Sequence, residues 1–261
     1  MTTRISQETV ALTNGVDIPL IGFGTWELQG TAAYNGVRAA LELGYRHIDT
    51  ATGYGNEDRV AAAIRDSGVG RENVFITTKC PPENAGRELE TLDGSLKALG
   101  VDFVDLWLVH WPPNGEARPD TWKAFVEAQE QGKTRSIGVS NYSIAQIDEL
   151  IDATGTAPAL NQIPWNPSMY DTRLVGELGR RNVVLEGYSP LKRSDLSHPV
   201  LRKVAAAHGK TPAQVILRWH VEHGFVVIPR SARRERIEEN YAIFDFELSA
   251  DEVSQLNGLG A

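Results

Sequence analysis

One interval constrains this chain more than any other feature. Short apolar runs give out at Asp49, Lys79, His110 and Ser140, which by subtraction stand 30, 31 and 30 residues apart. Two more give out at Gln162 and Tyr188, after 22 and 26 residues. Each interval has room for one strand, one helix and two loops. The runs are "LIGFG" (20–24), "RHID" (46–49), "FITT" (75–78), "VDLWLV" (104–109), "SIGVS" (136–140), "PALNQ" (158–162), "VVLEGY" (183–188) and "FVVI" (225–228). Apolar residues at helical spacing lie between them, as at Ala33, Val37, Ala40 and Leu41, and at Leu89, Leu92, Leu96 and Leu99. Eight strands alternating with helices predict an α/β fold, a closed (β/α)8 TIM barrel.

Local signals agree. Ser143…Gln146, Thr211…Gln214 and Ser249…Glu252 each read as a capping box, and Pro212 suits a first helical position. Val10 to Leu20, with Asn14-Gly15 at its centre, predicts a β-hairpin ahead of the barrel. An open doubly wound sheet is the rival. It wants a full dinucleotide fingerprint after its first strand, and "GFGTWE" (22–27) has glutamate where the third glycine should stand. No linker or low-complexity segment divides residues 1–261, which are expected to form a single domain.

The formal net charge of −8 argues against nucleic acid or an anionic membrane as the main partner. One cysteine, Cys80, excludes an internal disulfide framework and suits a reducing compartment. "MTTRISQETVALTNGVDIPL" holds no apolar leader core, and no stretch nears the ~20 apolar residues of a membrane span. A soluble, monomeric, cytoplasmic protein acting on a small molecule is expected.

In such barrels catalytic groups sit at the carboxyl ends of strands. Asp49, Lys79 and His110 end three consecutive strands, and Tyr54 lies in the loop after Asp49. Taken singly, Asp49 reads as a loop cap, Lys79 as a surface residue, His110 as a core histidine and Tyr54 as rim packing. Together they form a set suited to proton delivery by a phenol, with no metal-ligand spacing beside it. Free tyrosine has a pKa of roughly 10; a nearby Lys79 ammonium, held by Asp49, is expected to lower it. His110 would orient a substrate oxygen.

A basic cluster supplies the second anomaly. "IPRSARRERIEEN" (228–240) places Arg230, Arg233, Arg234 and Arg236 after the eighth strand, where barrels often bind phosphate. The plain alternative is a solvated helix face pairing with Glu235, Glu238 and Glu239. On the same rim Ser140, Asn141 and Gln162 offer hydrogen bonds, although Asn141 also reads as a turn residue and Gln162 as a strand-end cap. Tyr188 offers a stacking face, and Trp26 and Trp111 offer apolar walls or core.

In this order, "GFGTW", "GYRHIDTATGYGNE", "FITTK", "VDLWLVHWP", "RSIGVSNY", "NQIPWNP", "YSPL" and "IPRSARRERIEEN" give a sequence that resembles the aldo-keto reductase family over nearly its whole length. "HGKTPAQVILRWH" and "FVVIPRSARRERIEENYAIFDFEL" look most like the prokaryotic branch that includes 2,5-diketo-D-gluconate reductases. The resemblance implies NADPH-dependent reduction of aldehydes or ketones such as α-keto aldehydes or keto sugars. It implies a tetrad of Asp49, Tyr54, Lys79 and His110 with Tyr54 as proton donor. The nicotinamide would lie on Ser140, Asn141, Gln162 and Tyr188, next to Ser189 and Leu191. The adenosine end and its 2′-phosphate would lie along Arg230, Ser231, Arg236, Glu239 and Asn240, with Trp26 and Trp111 lining the substrate pocket.

Three departures shape what else is expected. Arg230 stands where the family usually has lysine, which keeps the charge but not the geometry. "CPPENAG" (80–86) replaces the usual tryptophan-asparagine turn, and "YSPLKRSDLSHP" (188–199) carries Lys192 and Arg193 in place of a glycine-rich continuation. The chain ends at Ala261, just past its last helix, so an open pocket with loose substrate selection is expected. The rival chemistries are a Schiff-base aldolase using Lys79, which leaves the arginines unexplained, and a non-catalytic NADPH-binding regulatory subunit.

Overall fold

The computed structural model describes residues 8–192 and 194–260. Residues 1–7, Arg193 and Ala261 lie outside them. The expected hairpin forms from β1 (Thr9–Ala11) and β2 (Asp17–Pro19), turning through Gly15 at φ +78°. A left-handed φ of this kind suits glycine, which has no Cβ to clash. Asn14 Nδ2 donates to the Arg135 carbonyl at 2.7 Å, and Thr13 Oγ1 to the Asn182 carbonyl at 2.9 Å. Those carbonyls precede or begin barrel strands, so the hairpin caps the amino end of the barrel, burying Leu12, Ile18 and Leu20.

Eight parallel strands follow: β3 (Phe23–Gly24), β4 (His47–Asp49), β5 (Phe75–Cys80), β6 (Val104–Val109), β7 (Thr134–Ser140), β8 (Leu160–Pro164), β9 (Val184–Tyr188) and β10 (Val226–Ile228). The sheet runs in sequence order and closes through the Ile21–Val227 bridge. Gly22 N–H donates to the Val227 carbonyl at 2.9 Å, and Gly24 N–H to that of Pro229 at 3.1 Å. This closure explains the "GFG" glycines. A Cβ on Gly22 would sit 2.5 Å from His47 Nδ1 and 2.9 Å from Ile228 Cγ2, too close for any side chain.

The helices are α1 (Gly30–Leu43), α2 (Glu57–Ser67), α3 (Glu88–Leu99), α4 (Pro119–Glu130), α5 (Ile144–Thr154), α6 (Thr172–Arg180), α7 (Pro199–His208), α8 (Pro212–Glu222), α9 (Arg234–Tyr241) and α10 (Ala250–Asn257). All three expected capping boxes form, at the starts of α5, α8 and α10. Each satisfies two otherwise unpaired amide donors. Strand β6 is buried along its whole length, as a parallel strand between barrel interior and helices must be. Its Trp107 stacks on Phe125 of α4 with centroids 3.6 Å apart.

Two core histidines make this fold sensitive to acid. His47 and His220 are fully buried, which lowers their pKa to about 3 and about 4; for His47 the Lys79 charge adds to the effect. The unfolded chain takes up these protons below roughly pH 6.5, the folded chain only near those lower values. Stability is therefore expected to fall as pH drops from 6.5 towards 4, by up to ~1.4 kcal/mol per pH unit per histidine. Urea titrations across that range should show the slope, and His220→Gln should make it shallower; an unchanged slope would exclude His220 as a contributor.

Candidate active site

The three strand-end residues and Tyr54 converge at the carboxyl end of the barrel. Lys79 is completely buried, and its ammonium donates to Asp49 Oδ1 at 2.6 Å, Asp49 Oδ2 at 2.7 Å and the Thr50 carbonyl at 2.8 Å. The Tyr54 hydroxyl lies 3.5 Å from Lys79 Nζ. Burial opposes the Lys79 charge, but Asp49, with Tyr54 and Glu186 nearby, raises its pKa on balance. An ion pair this dry persists only with its remaining hydrogen bonds made, and here they are.

Sequence built the loop that presents Tyr54. Thr52–Tyr54 forms a 3₁₀ turn that ends on Gly55 at φ +64°. Buried Asn56 ties the turn down: its Oδ1 accepts from Thr50 Oγ1 at 2.7 Å, and its Nδ2 donates to the carbonyls of Thr25 and Leu28. Glu57 follows, also buried, accepting from Thr78 Oγ1 at 2.6 Å and Ser95 Oγ at 3.1 Å. Gln29 Nε2 donates to the Tyr54 carbonyl at 2.7 Å. "GYGNE" is thus a stiff mount for one phenol.

The phenol itself departs from expectation in one respect. Burial raises the Tyr54 pKa; Lys79 pulls it down, Asp49 pushes it back up, and the balance lies above the ordinary value. Burial outweighs the Lys79 charge, which Asp49 also partly offsets, so Lys79 does not lower the Tyr54 pKa overall. Tyr54 therefore keeps its proton at neutral pH. His110 meets the Tyr54 ring edge-on, with centroids 5.6 Å apart. Burial and the Lys79 charge lower its pKa to about 3, so it is a neutral imidazole. Among the described residues neither of its ring nitrogens has a hydrogen-bond partner.

These groups floor a cleft of about 780 Å³. Asp49, Tyr54, His110, Ser140, Asn141, Gln162, Tyr188, Ser189, Leu191 and Arg230 all line it, with Trp26 and Trp111 at its mouth, 44% and 48% exposed. Asn141 adopts φ +64°, a turn conformation asparagine tolerates, and both ends of its amide are engaged. It accepts from Tyr188 Oη at 2.9 Å and donates to Ser140 Oγ at 2.9 Å. Ser140 Oγ in turn donates to the Gln162 carbonyl at 2.8 Å.

The basic segment divides. Arg230 lines the cleft and pairs with Glu27, while Ser231, Arg236, Glu239 and Asn240 lie beyond its lining on the β10–α9 turn and on α9. Arg236 pairs with Glu239, so the plain ion-pair alternative holds for that arginine, whereas Arg234 pairs with Glu42 of α1 instead. Three features of the cleft were not expected from sequence. Glu27 reaches Arg230 across the barrel closure. The Lys192 ammonium lies over the Trp26 ring, 4.7 Å from its centroid. Glu186, a carboxylate inside the buried run "VVLEGY", bonds Gln162 from below. An ionisable residue amid strand apolars is the one signal that marks it in advance.

The fold and this rim define a barrel oxidoreductase, and relatives make the class specific. Residues 20–261 match the Aldo/keto reductase family, and the chain belongs to it. It is 42% identical to an aldo-keto reductase of Mycolicibacterium smegmatis, over 96% of this chain and 92% of that one. It is 40% identical to the methylglyoxal reductase DkgA of Salmonella typhimurium, over 95% and 91% respectively. The crystal structure of an aldo/keto reductase from Brucella melitensis superposes with a TM-score of 0.93 at 42% identity, covering 97% of this chain and all of that one. The protein is accordingly an oxidoreductase of carbonyl compounds, in a family that uses NAD(P)H. Among the described residues no helix is long and apolar enough to cross a membrane.

Proposed function

We propose that this chain reduces aldehydes and ketones with NADPH, and that Tyr54 is the proton donor. The carrying observation is the buried Asp49–Lys79 pair, 3.5 Å below a protonated phenol at the floor of a cleft whose other end is Arg230. Small oxo compounds, α-keto aldehydes or keto sugars, are the proposed substrates, with Trp26 and Trp111 as walls of their pocket. The methylglyoxal reductase relatives favour the α-keto aldehydes. The exposed mouth supports broad selection, which a panel of carbonyl compounds checks directly: turnover confined to one of many would contradict it.

The residues present fit a nicotinamide dinucleotide. Ser140, Asn141 and Gln162 supply polar atoms, Tyr188 an aromatic face, and Arg230 and Arg236 positive charge beyond. When bound, that cofactor supplies the hydride. The chain's own residues do the rest. His110, neutral, can donate one ring N–H to the carbonyl oxygen and aim it at Tyr54. Tyr54 holds its proton until negative charge builds on that oxygen; an alkoxide is a stronger base than a phenolate, so the proton then moves from Tyr54 Oη to it. Lys79, kept charged by Asp49, stabilises the phenolate left behind.

Arg230 and Arg236 are the groups proposed to read the 2′-phosphate. Their exposed pairs with Glu27 and Glu239 are individually weak, and a phosphate carrying more charge can displace the carboxylates. Arg236→Ala is expected to raise the KM for NADPH roughly 10- to 100-fold, the loss of a charged hydrogen bond, and to leave that for NADH unchanged. Equal effects on both cofactors would remove the assignment. The same reading makes the protein a cytoplasmic monomer with no nucleic-acid or membrane partner, in keeping with its −8 charge. Size-exclusion chromatography at working concentration tests the monomer.

A further inference from the structure

Below the rim, Gln162 joins two carboxyl groups. Its Nε2 donates to Asp49 Oδ2 at 2.9 Å and to Glu186 Oε2 at 3.0 Å. An amide nitrogen has two hydrogens, so both are committed to the barrel interior. Gln162 also lines the cleft, and its Oε1 is the polar atom left to face it. Two acceptors beneath therefore decide which way round the amide stands. Turned over, its carbonyl would meet the Asp49 carboxylate.

We propose that Glu186 is a positioning residue of the cofactor site. Together with Asp49 it locks the Gln162 amide with its NH₂ inward, so that the Gln162 carbonyl stands ready to accept a hydrogen bond from the nicotinamide carboxamide. This rests on the nicotinamide reading of the cleft given above. Glu186 belongs to no part of the tetrad and touches neither substrate nor cofactor.

The surroundings of Glu186 support a neutral acid in this role. It is fully buried on β9, facing His47 and Asp49 of β4, Lys79 of β5 and Gln162 of β8. Its Oε1 lies 4.0 Å from His47 Nε2 and has no hydrogen-bond partner among the described residues. His47 Nε2 is itself 2.9 Å from Thr77 Oγ1. Burial, with the Asp49 charge adding to it, carries the Glu186 carboxyl up to about 8. A bare carboxylate oxygen here would be unpaired beside Asp49; a protonated one is not charged. Glu186→Gln preserves that neutral shape and its acceptor, whereas Glu186→Leu removes the acceptor and frees one Gln162 N–H to turn towards the cleft.

The test is a pair of binding titrations on the full-length protein. The first uses NADPH. The second uses reduced 3-acetylpyridine adenine dinucleotide phosphate, which has a methyl ketone in place of the carboxamide and so no N–H to give. Wild type is expected to prefer NADPH by about tenfold, the value of one well-placed buried hydrogen bond. Glu186→Leu should bring the ratio to within about twofold of unity by weakening NADPH alone, and Glu186→Gln should keep the wild-type ratio. A wild type that binds both cofactors equally, a Glu186→Leu that keeps the full preference, or a Glu186→Gln that loses it overturns the inference. The wild-type and Glu186→Gln arms can each still overturn it even if Glu186→Leu does not fold. A wild type that binds neither dinucleotide overturns the nicotinamide reading itself.

Discussion

Tyr54→Phe is expected to bind NADPH as tightly as wild type and to lose about 10²–10⁴ or more in turnover, the range a positioned general acid supplies. The reason is specific to one atom. The Tyr54 ring packs edge-on against His110 and lies 5.0 Å from the Lys79 ammonium, and phenylalanine keeps that ring. Only the hydroxyl is lost, 3.5 Å from Lys79 Nζ. Because burial holds its pKa above the ordinary value, the hydroxyl is protonated through the neutral range, and a general-acid limb should enter the kcat profile only at alkaline pH. Tyr54→Phe should abolish that limb along with the rate. Steady-state rates across pH, with cofactor binding measured alongside, check both. Turnover within a fewfold of wild type would remove Tyr54 from the mechanism.

Lys79→Met should have the largest effect on stability. It strands the buried Asp49 carboxylate with Gln162 as its remaining side-chain donor. Breaking a buried ion pair from one side costs about 3–5 kcal/mol. Turnover should disappear as well, since Tyr54 loses the charge that stabilises its phenolate. These two losses separate in the double variant Asp49→Leu/Lys79→Met, which should recover most of the stability and none of the activity. Urea unfolding of the single and double variants gives the comparison. A single variant as stable as wild type would mean that Asp49 takes up a proton at little cost and that the pair is no structural anchor.

The barrel was legible because its periodicity is local. Strand ends 22 to 31 residues apart, capping boxes at Ser143, Thr211 and Ser249, and Asn14-Gly15 in the hairpin are all written within a few residues of where they act. The convergence of Asp49, Tyr54, Lys79 and His110 was legible for a related reason: polar residues closing apolar runs in parallel strands come to one rim. What sequence concealed depends on distant partners. Glu27 and Arg230 are 203 positions apart and meet only because β3 and β10 close the barrel. Lys192 reads as a surface charge until the loop after β9 lays it over Trp26. The Tyr54 pKa turns on how far Asp49 neutralises Lys79 and how deeply the phenol is buried, and neither is set by residue type. Glu186 sits in an apolar run whose meaning depends on Gln162 and Asp49 from two other strands.

The most direct test follows nicotinamide absorbance with methylglyoxal and a panel of aldehydes and keto sugars, using NADPH and NADH in parallel. NADPH should be consumed with at least one α-keto aldehyde or keto sugar, and NADH clearly more slowly at equal concentration. NADPH that binds but is never oxidised across the panel would contradict the proposed reductase, as would a cofactor preference running the other way.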